Sequence, residues 1–150
     1  MIKTVFAGAL LTALMLAGSA QDALAQNTPV GRWHSIDDNT QEAKSEILIT
    51  ERDGVLTGRI ERLLRKSADP TRRCTECSDD RKDKLFIGLE IIRGAKKVAD
   101  REVWEDGEIL DPENGKTYAL RLTPIEGGRK LEVRGSILFI GRTQTWVRVP

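Results

Sequence analysis

The chain has 150 residues, 24 lysines and arginines against 23 aspartates and glutamates, and a formal charge of +1. That balance gives no overall drive toward nucleic acid, which asks for a basic excess or stripe, and the length suits one domain of common size. One histidine and two cysteines leave little material for a histidine-rich metal site or a disulfide framework.

The first 25 residues read as a secretory signal. Lys3 gives a positive start, Val5 to Ala17 are almost wholly apolar, and Ala23-Leu24-Ala25 before Gln26 fits the small-x-small pattern of a cleavage site. Lys3 and Asp22 are the charged residues of this segment, so the mature chain, 26–150, keeps its charge of +1. The apolar run is shorter than the roughly 20 residues of a membrane helix, and no later stretch approaches that length. A periplasmic or secreted bacterial protein with no membrane span is the expectation.

Val30 to Ile36 is the first predicted strand, followed by the turn-forming cluster Asp37-Asp38-Asn39-Thr40. Lys44 to Thr50 is the second. Asp53-Gly54 then predicts a tight hairpin into Val55 to Leu64, where Leu56, Gly58, Ile60 and Leu64 share a face. Arg65 to Lys84 is polar, contains Pro70 and both cysteines, and is the longest irregular segment; long loops with structure of their own are often functional. The basic residues in and beside it, Arg62 to Lys66 with Arg72 and Arg73, read as a solvated loop. Leu85 to Arg93 resumes as a strand, with Glu90 grouped by alternation with Phe86, Gly88 and Ile92, so that it either faces a cavity and pairs with an arginine such as Arg142 or faces solvent. Gly94 to Asp100 allows no more than a turn of helix.

Glu102 to Leu110 is predicted as a strand interrupted at Asp106-Gly107, and Asp111-Pro112-Glu113-Asn114-Gly115 as a turn. Tyr118, Leu120 and Leu122 alternate with polar neighbours in Lys116 to Thr123. After Glu126-Gly127-Gly128, Leu131, Val133, Gly135 and Ile137 form the dry face of the next strand. Gly141 ends the apolar run Ile137 to Ile140, and Arg142 to Val149 is the last strand. These are about eight strands with no long amphipathic helix. The fold expected is all-β, an antiparallel up-and-down β-barrel, with a two-sheet β-sandwich as the alternative, because alternation does not report closure.

In the last strand Arg142, Gln144, Trp146 and Arg148 share a face. One reading is a partly polar barrel interior lined by Trp146, with Arg142 and Gln144 orienting a ligand; the other packs Trp146 in the core or under an arginine stem. Gly31-x-Trp33 on the first strand with arginine on the last resembles the lipocalin and fatty-acid-binding (calycin) superfamily. That resemblance implies that Trp33 closes one barrel end beneath a basic side chain, with Arg148 the candidate. Asp111-Pro-Glu-Asn-Gly-Lys-x-Tyr118, Leu131-Glu-Val-Arg-Gly135, Gly141-Arg-Thr-Gln-Thr-Trp146 and the Cys74-x-x-Cys77 loop before Asp80-Arg-Lys-Asp83 are together similar to the exported bacterial family catalogued as domain of unknown function 2147. The resemblance spans the mature chain and implies a lipocalin-like barrel with a small-molecule carrier role.

Cys74-Thr75-Glu76-Cys77 has three readings. A disulfide is the default in an oxidising compartment; a redox pair wants a helix N-terminus and a βαβ setting, neither visible in the sequence; a metal site needs two more ligands, for which hard Glu76, Asp79, Asp80 and Asp83 are the neighbours. His34 stands beside Trp33, and no Gly-x-Ser-x-Gly motif accompanies it. The leading expectation is a non-enzymatic, cofactor-free protein that binds a small amphiphilic or apolar molecule. Trp146, Tyr118 and Trp104 serve as walls, Arg142 as the anchor for a carboxylate or other anion, Gln144 and Glu90 as polar lining, and Cys74 and Cys77 as a brace. The rivals are an envelope module whose solid barrel docks a protein partner and, behind it, a thiol-redox or stress protein.

Overall fold

The computed structural model describes residues 26–150; the predicted signal segment lies outside the described residues. Eight antiparallel strands follow one another around a closed barrel in chain order: β1 (Gly31–Ile36), β2 (Ala43–Arg52), β3 (Val55–Leu63), β4 (Glu90–Lys97), β5 (Trp104–Asp111), β6 (Lys116–Ile125), β7 (Lys130–Ile137) and β8 (Ile140–Arg148). Closure settles the sequence ambiguity in favour of the barrel over the sandwich and removes free sheet edges. The seam between β1 and β8 is short. Trp33 pairs with Arg148 and His34 with Val147, after which the two strands part toward one end of the barrel.

Local turn chemistry explains the hairpins. Asp53 and Gly54 both take positive φ between β2 and β3, and Gly127 and Gly128 do so between β6 and β7, as tight reversals require. β-Bulges account for the departures from simple alternation. The predicted interruption at Asp106-Gly107 is a register shift within β5, with Asp106 at φ 63°, rather than a strand end.

The predicted strand at Leu85–Arg93 is corrected in its bounds, and part of Gly94–Asp100, expected to hold no more than a turn of helix, belongs to it. Leu85 makes one isolated bridge to Arg73, the strand begins at Glu90, and Gly94 at φ 81° lets it continue to Lys97. Opposite Gly58 and Arg59 the β4 ladder skips Ile91, which breaks the alternation on which Glu90's inward placement rested.

The interior has two halves. Around the end formed by the N-terminal residues, the β4–β5 turn and the C-terminus, Trp33, Ile49, Leu56, Ile92, Trp104, Leu122 and Leu131, all at most 5% exposed, pack into a plug. Each such side chain stabilises by about 1.5–3 kcal/mol relative to exposure. The other end carries the β1–β2 turn, the long β3–β4 loop, the β5–β6 turn and the β7–β8 turn, and there the barrel is open.

A candidate ligand cavity in the open half of the barrel

A cavity of about 990 Å³ occupies the open half. Its wall is built by strand alternation. Ser35 and Ile36 come from β1, Ser45 and Ile47 from β2, Ile60 and Leu63 from β3, Ile109 from β5, Tyr118 from β6, and Gln144 and Trp146 from β8. The skipped residue Ile91 also faces it, and Phe86 reaches in from the β3–β4 loop with the Arg72 guanidinium 4.7 Å above its ring. Trp146, 2% exposed, borders both the cavity and the plug, and its Nε1 donates to Gln144 Oε1 at 3.4 Å. Gly135 keeps the middle open, since a Cβ there would lie 3.2 Å from Tyr118 Cβ and 3.4 Å from Ile109 Cγ2. The polar groups of the wall itself are Ser35, Ser45, Tyr118 and Gln144, with the Ser35 and Ser45 hydroxyls bonded to each other at 2.7 Å, and the charged lining residues stand toward the mouth.

The rim is a ring of paired charges. Arg142 on β8 donates through Nε (2.8 Å) and Nη2 to Asp38 in the β1–β2 turn, so this pair bridges the region where β1 and β8 part. Beside it Arg65 meets Asp37, whose carboxyl is held below its ordinary range first by the backbone amides of Thr40 and Asn39 and further by the Arg65 charge. Glu113 lies between Lys44, at 3.8 Å, and Arg72, at 3.5 Å. A molecule filling the cavity would meet an apolar wall below and this ion-paired ring above.

The β3–β4 loop forms one side of the rim. Cys74 and Cys77 are bonded as a disulfide, with Cα atoms 5.4 Å apart, and both side chains are buried. Cys74 Sγ lies 3.6 Å from the Pro112 carbonyl oxygen, and Gly115, at φ 72°, approaches so closely that a Cβ would collide with the Glu76 carbonyl. The staple therefore clamps the loop onto the β5–β6 turn. Arg81, 1% exposed, anchors the far side through Asp79, Glu108 and the Glu90 carbonyl.

Of the residues singled out from sequence, Arg142, Gln144, Trp146 and Tyr118 meet at the cavity. Trp104 does not: it opens β5 at the closed end and belongs to the plug, under Lys97, with Ile109 further up the same strand at the cavity. Glu90 is corrected as well, its carboxylate lying outside against Arg93 rather than Arg142. His34 faces outward too, 3.2 Å from Glu46.

Trp33 and Arg148 lie at the closed end, the guanidinium carbon 4.1 Å above the indole. The sequence reading placed Phe86 on a strand beside Glu90, whereas it reaches the cavity from the loop, and it gave no role to Asp38, which meets Arg142 across 104 residues of chain.

Among the described residues no group of histidine, cysteine, aspartate and glutamate is arranged to hold a metal ion, and no helix is long and apolar enough to cross a membrane. No curated protein matches the chain. A solved structure described as protein HP1028 from the human pathogen Helicobacter pylori, belonging to the lipocalin family, is similar with a TM-score of 0.68 at 19% identity, over 81% of this chain and 82% of its own. That likeness concerns the fold, a lipocalin-like barrel. Residues 31–148 match the family described as "Uncharacterized protein conserved in bacteria (DUF2147)", which takes in all eight strands and the stapled loop, and the chain belongs to that family.

Proposed function

We propose that the protein is a non-enzymatic, exported carrier that takes the apolar part of a small amphiphile into the open half of its barrel and leaves the polar head at the ion-paired rim. The observation that supports it most directly is the cavity itself, whose volume falls at the upper end of the range of about 300–1,000 Å³ for small-molecule sites, with an apolar wall below a polar and charged mouth. Export is supported by the bacterial family and the disulfide; the mass of the mature N-terminus, expected to begin at Gln26, tests it.

Native mass spectrometry of the protein purified from an oxidising compartment, followed by denaturing extraction, tests the carrier reading. A stoichiometric small molecule is expected. An apo mass that persists after incubation with fatty acids and other amphiphiles overturns it.

Arg142 is assigned as the contact for an anionic head. Since it already holds Asp38, such a head binds by exchange with that carboxylate. Arg142→Ala should weaken an anionic amphiphile by more than about 1 kcal/mol. Asp38→Asn should strengthen it, because the competing charge is gone. Titration calorimetry with a fatty acid that moves in neither variant removes the role.

A further inference from the structure

The β7–β8 turn stands out from every other turn of the barrel. Ile137, Leu138, Phe139 and Ile140 follow one another without a polar residue and are 47%, 91%, 100% and 82% exposed. Leu138 sits at φ 53°, a conformation that carries a steric cost for a branched side chain and here sends the tip outward. Below the tip, Arg134 lies beside Gly141 and donates to Thr143 Oγ1, with no acidic partner among the described residues, and no acidic residue occurs from Val133 to Pro150. The tip also stands on the rim of the cavity.

We propose that this tip is a membrane-docking wedge, which inserts Leu138 and Phe139 into the surface of a phospholipid bilayer and sets the cavity mouth against the lipid. Size and shape favour a lipid surface over a protein. A stable protein interface takes about 800 Å² and 20–30 residues from each partner, whereas the apolar patch here is a four-residue convex hairpin end whose neighbours are charged turns. A lipid surface needs no complementary shape and accepts a small apolar wedge with cations at its base. Arg134 and the lack of any acidic residue in the hairpin complement anionic headgroups, while the ion pairs of the rim, Arg142 with Asp38 among them, leave the rest of the mouth close to charge balance. Docking is independent of what the cavity holds; the loading route it would provide, from lipid leaflet into barrel, rests on the carrier reading.

Flotation with vesicles of phosphatidylcholine containing a minor share of phosphatidylglycerol, using apo protein, tests docking separately from ligand binding. The wild type is expected to float with the vesicles. Leu138→Asp combined with Phe139→Asp is expected to partition at least about tenfold more weakly at an unchanged melting temperature, since two charges replace the inserted groups.

In the Phe139→Trp variant, brominated acyl chains should quench emission beyond any quenching of the wild type, whose three tryptophans are buried. That site-specific signal separates tip insertion from binding by any other segment. A wild type that stays with the aqueous phase, or a Phe139→Trp variant quenched no more than the wild type, overturns the proposal. So does a concentration-dependent dimer that the aspartate variant dissolves without any vesicle binding, which would assign the tip to a second copy of the chain.

Discussion

Arg148 bonds to backbone where most arginines of this surface bond to carboxylates. Its guanidinium donates to the carbonyls of Gly128 (2.5 Å), Val30 (2.9 Å), Thr28 (2.6 Å) and Gln26 (3.2 Å) while stacking on Trp33, whose own Nε1 donates to the Pro29 carbonyl at 2.7 Å. One planar fork thus ties the N-terminal lead-in and the β6–β7 turn to the last strand. Gly31 is part of the same arrangement, since a Cβ there would fall 2.5 Å from Arg148 Nη1 and its φ of 132° is foreign to side-chain-bearing residues. Burial pushes the guanidinium below its ordinary pKa without a carboxylate to offset the cost, so the carbonyl dipoles carry the compensation. Arg148→Ala should therefore cost about 2–4 kcal/mol, the worth of one or two charge-assisted bonds, in urea unfolding. Arg148→Lys should recover less than half, because a compact ammonium neither stacks nor forks. Full recovery by lysine would mean that charge alone matters. Here a resemblance helped: Gly31-x-Trp33 with an arginine in the last strand is similar to the lipocalin and fatty-acid-binding superfamily, and that resemblance implies the pair. The carbonyls that bind Arg148 were hidden, since backbone geometry leaves no side-chain signature.

β4 and the loop before it show what an element owes to its neighbours. Asp53-Gly54 and Asn114-Gly115 fix their turns by local φ preference, which is why those hairpins were legible from a handful of residues. The skip at Ile91 is set by the register against Gly58 and Arg59, and nothing within β4 announces it; alternation therefore left Glu90 open between cavity and solvent, and the register decides for the outside. Outside the barrel Arg93 turns this into a tether. It holds Glu90 on its own strand and makes two bonds of 2.9 Å to Asp80 in the stapled loop, and hydrogen bonding from Arg93 holds the Asp80 carboxyl at about 2. The staple itself closes a ring of about four residues and stabilises by about 2 kcal/mol in the chain-entropy picture.

A carboxyl lowered on folding favours the native state above its unfolded pKa of about 3.9, and that contribution fades as pH falls through the folded value of about 2. Asp80→Asn should therefore lower the urea midpoint at neutral pH and lose its difference from wild type between about pH 4 and pH 2. A gap that is constant across that range would show that the carboxylate contributes shape rather than charge.

Over the whole molecule, stability and binding are assigned to different halves of one barrel. The plug holds the largest fully buried apolar side chains, Trp33, Ile47, Ile49, Leu56, Ile92, Leu122 and Leu131, of which Ile47 alone also touches the cavity. The open half is lined by buried apolar residues such as Ile60, Phe86 and Ile91 that face the cavity instead of one another, and its rim is held by ion pairs between turns. Alternation in the sequence reported which residues face inward but not how deep along the axis they lie. Trp104 and Trp146 consequently looked equivalent, although Trp104 opens β5 at the closed end and only Trp146 reaches the cavity.

This division predicts opposite consequences for two substitutions of inward residues. Leu122→Ala, in the plug, should cost about 2–5 kcal/mol in unfolding, as a close-packed core with little room to collapse demands. Ile109→Trp, on the cavity wall, should change the unfolding free energy by less than about 1 kcal/mol, because the added ring enters empty space instead of displacing packed neighbours. The same ring should reduce the amount of amphiphile retained in native mass spectrometry at least tenfold, about 1.4 kcal/mol, by taking the volume its chain would fill. If Ile109→Trp destabilises the fold as much as Leu122→Ala does, the open half is a working part of the core, and a carrier role would have to find its ligand elsewhere.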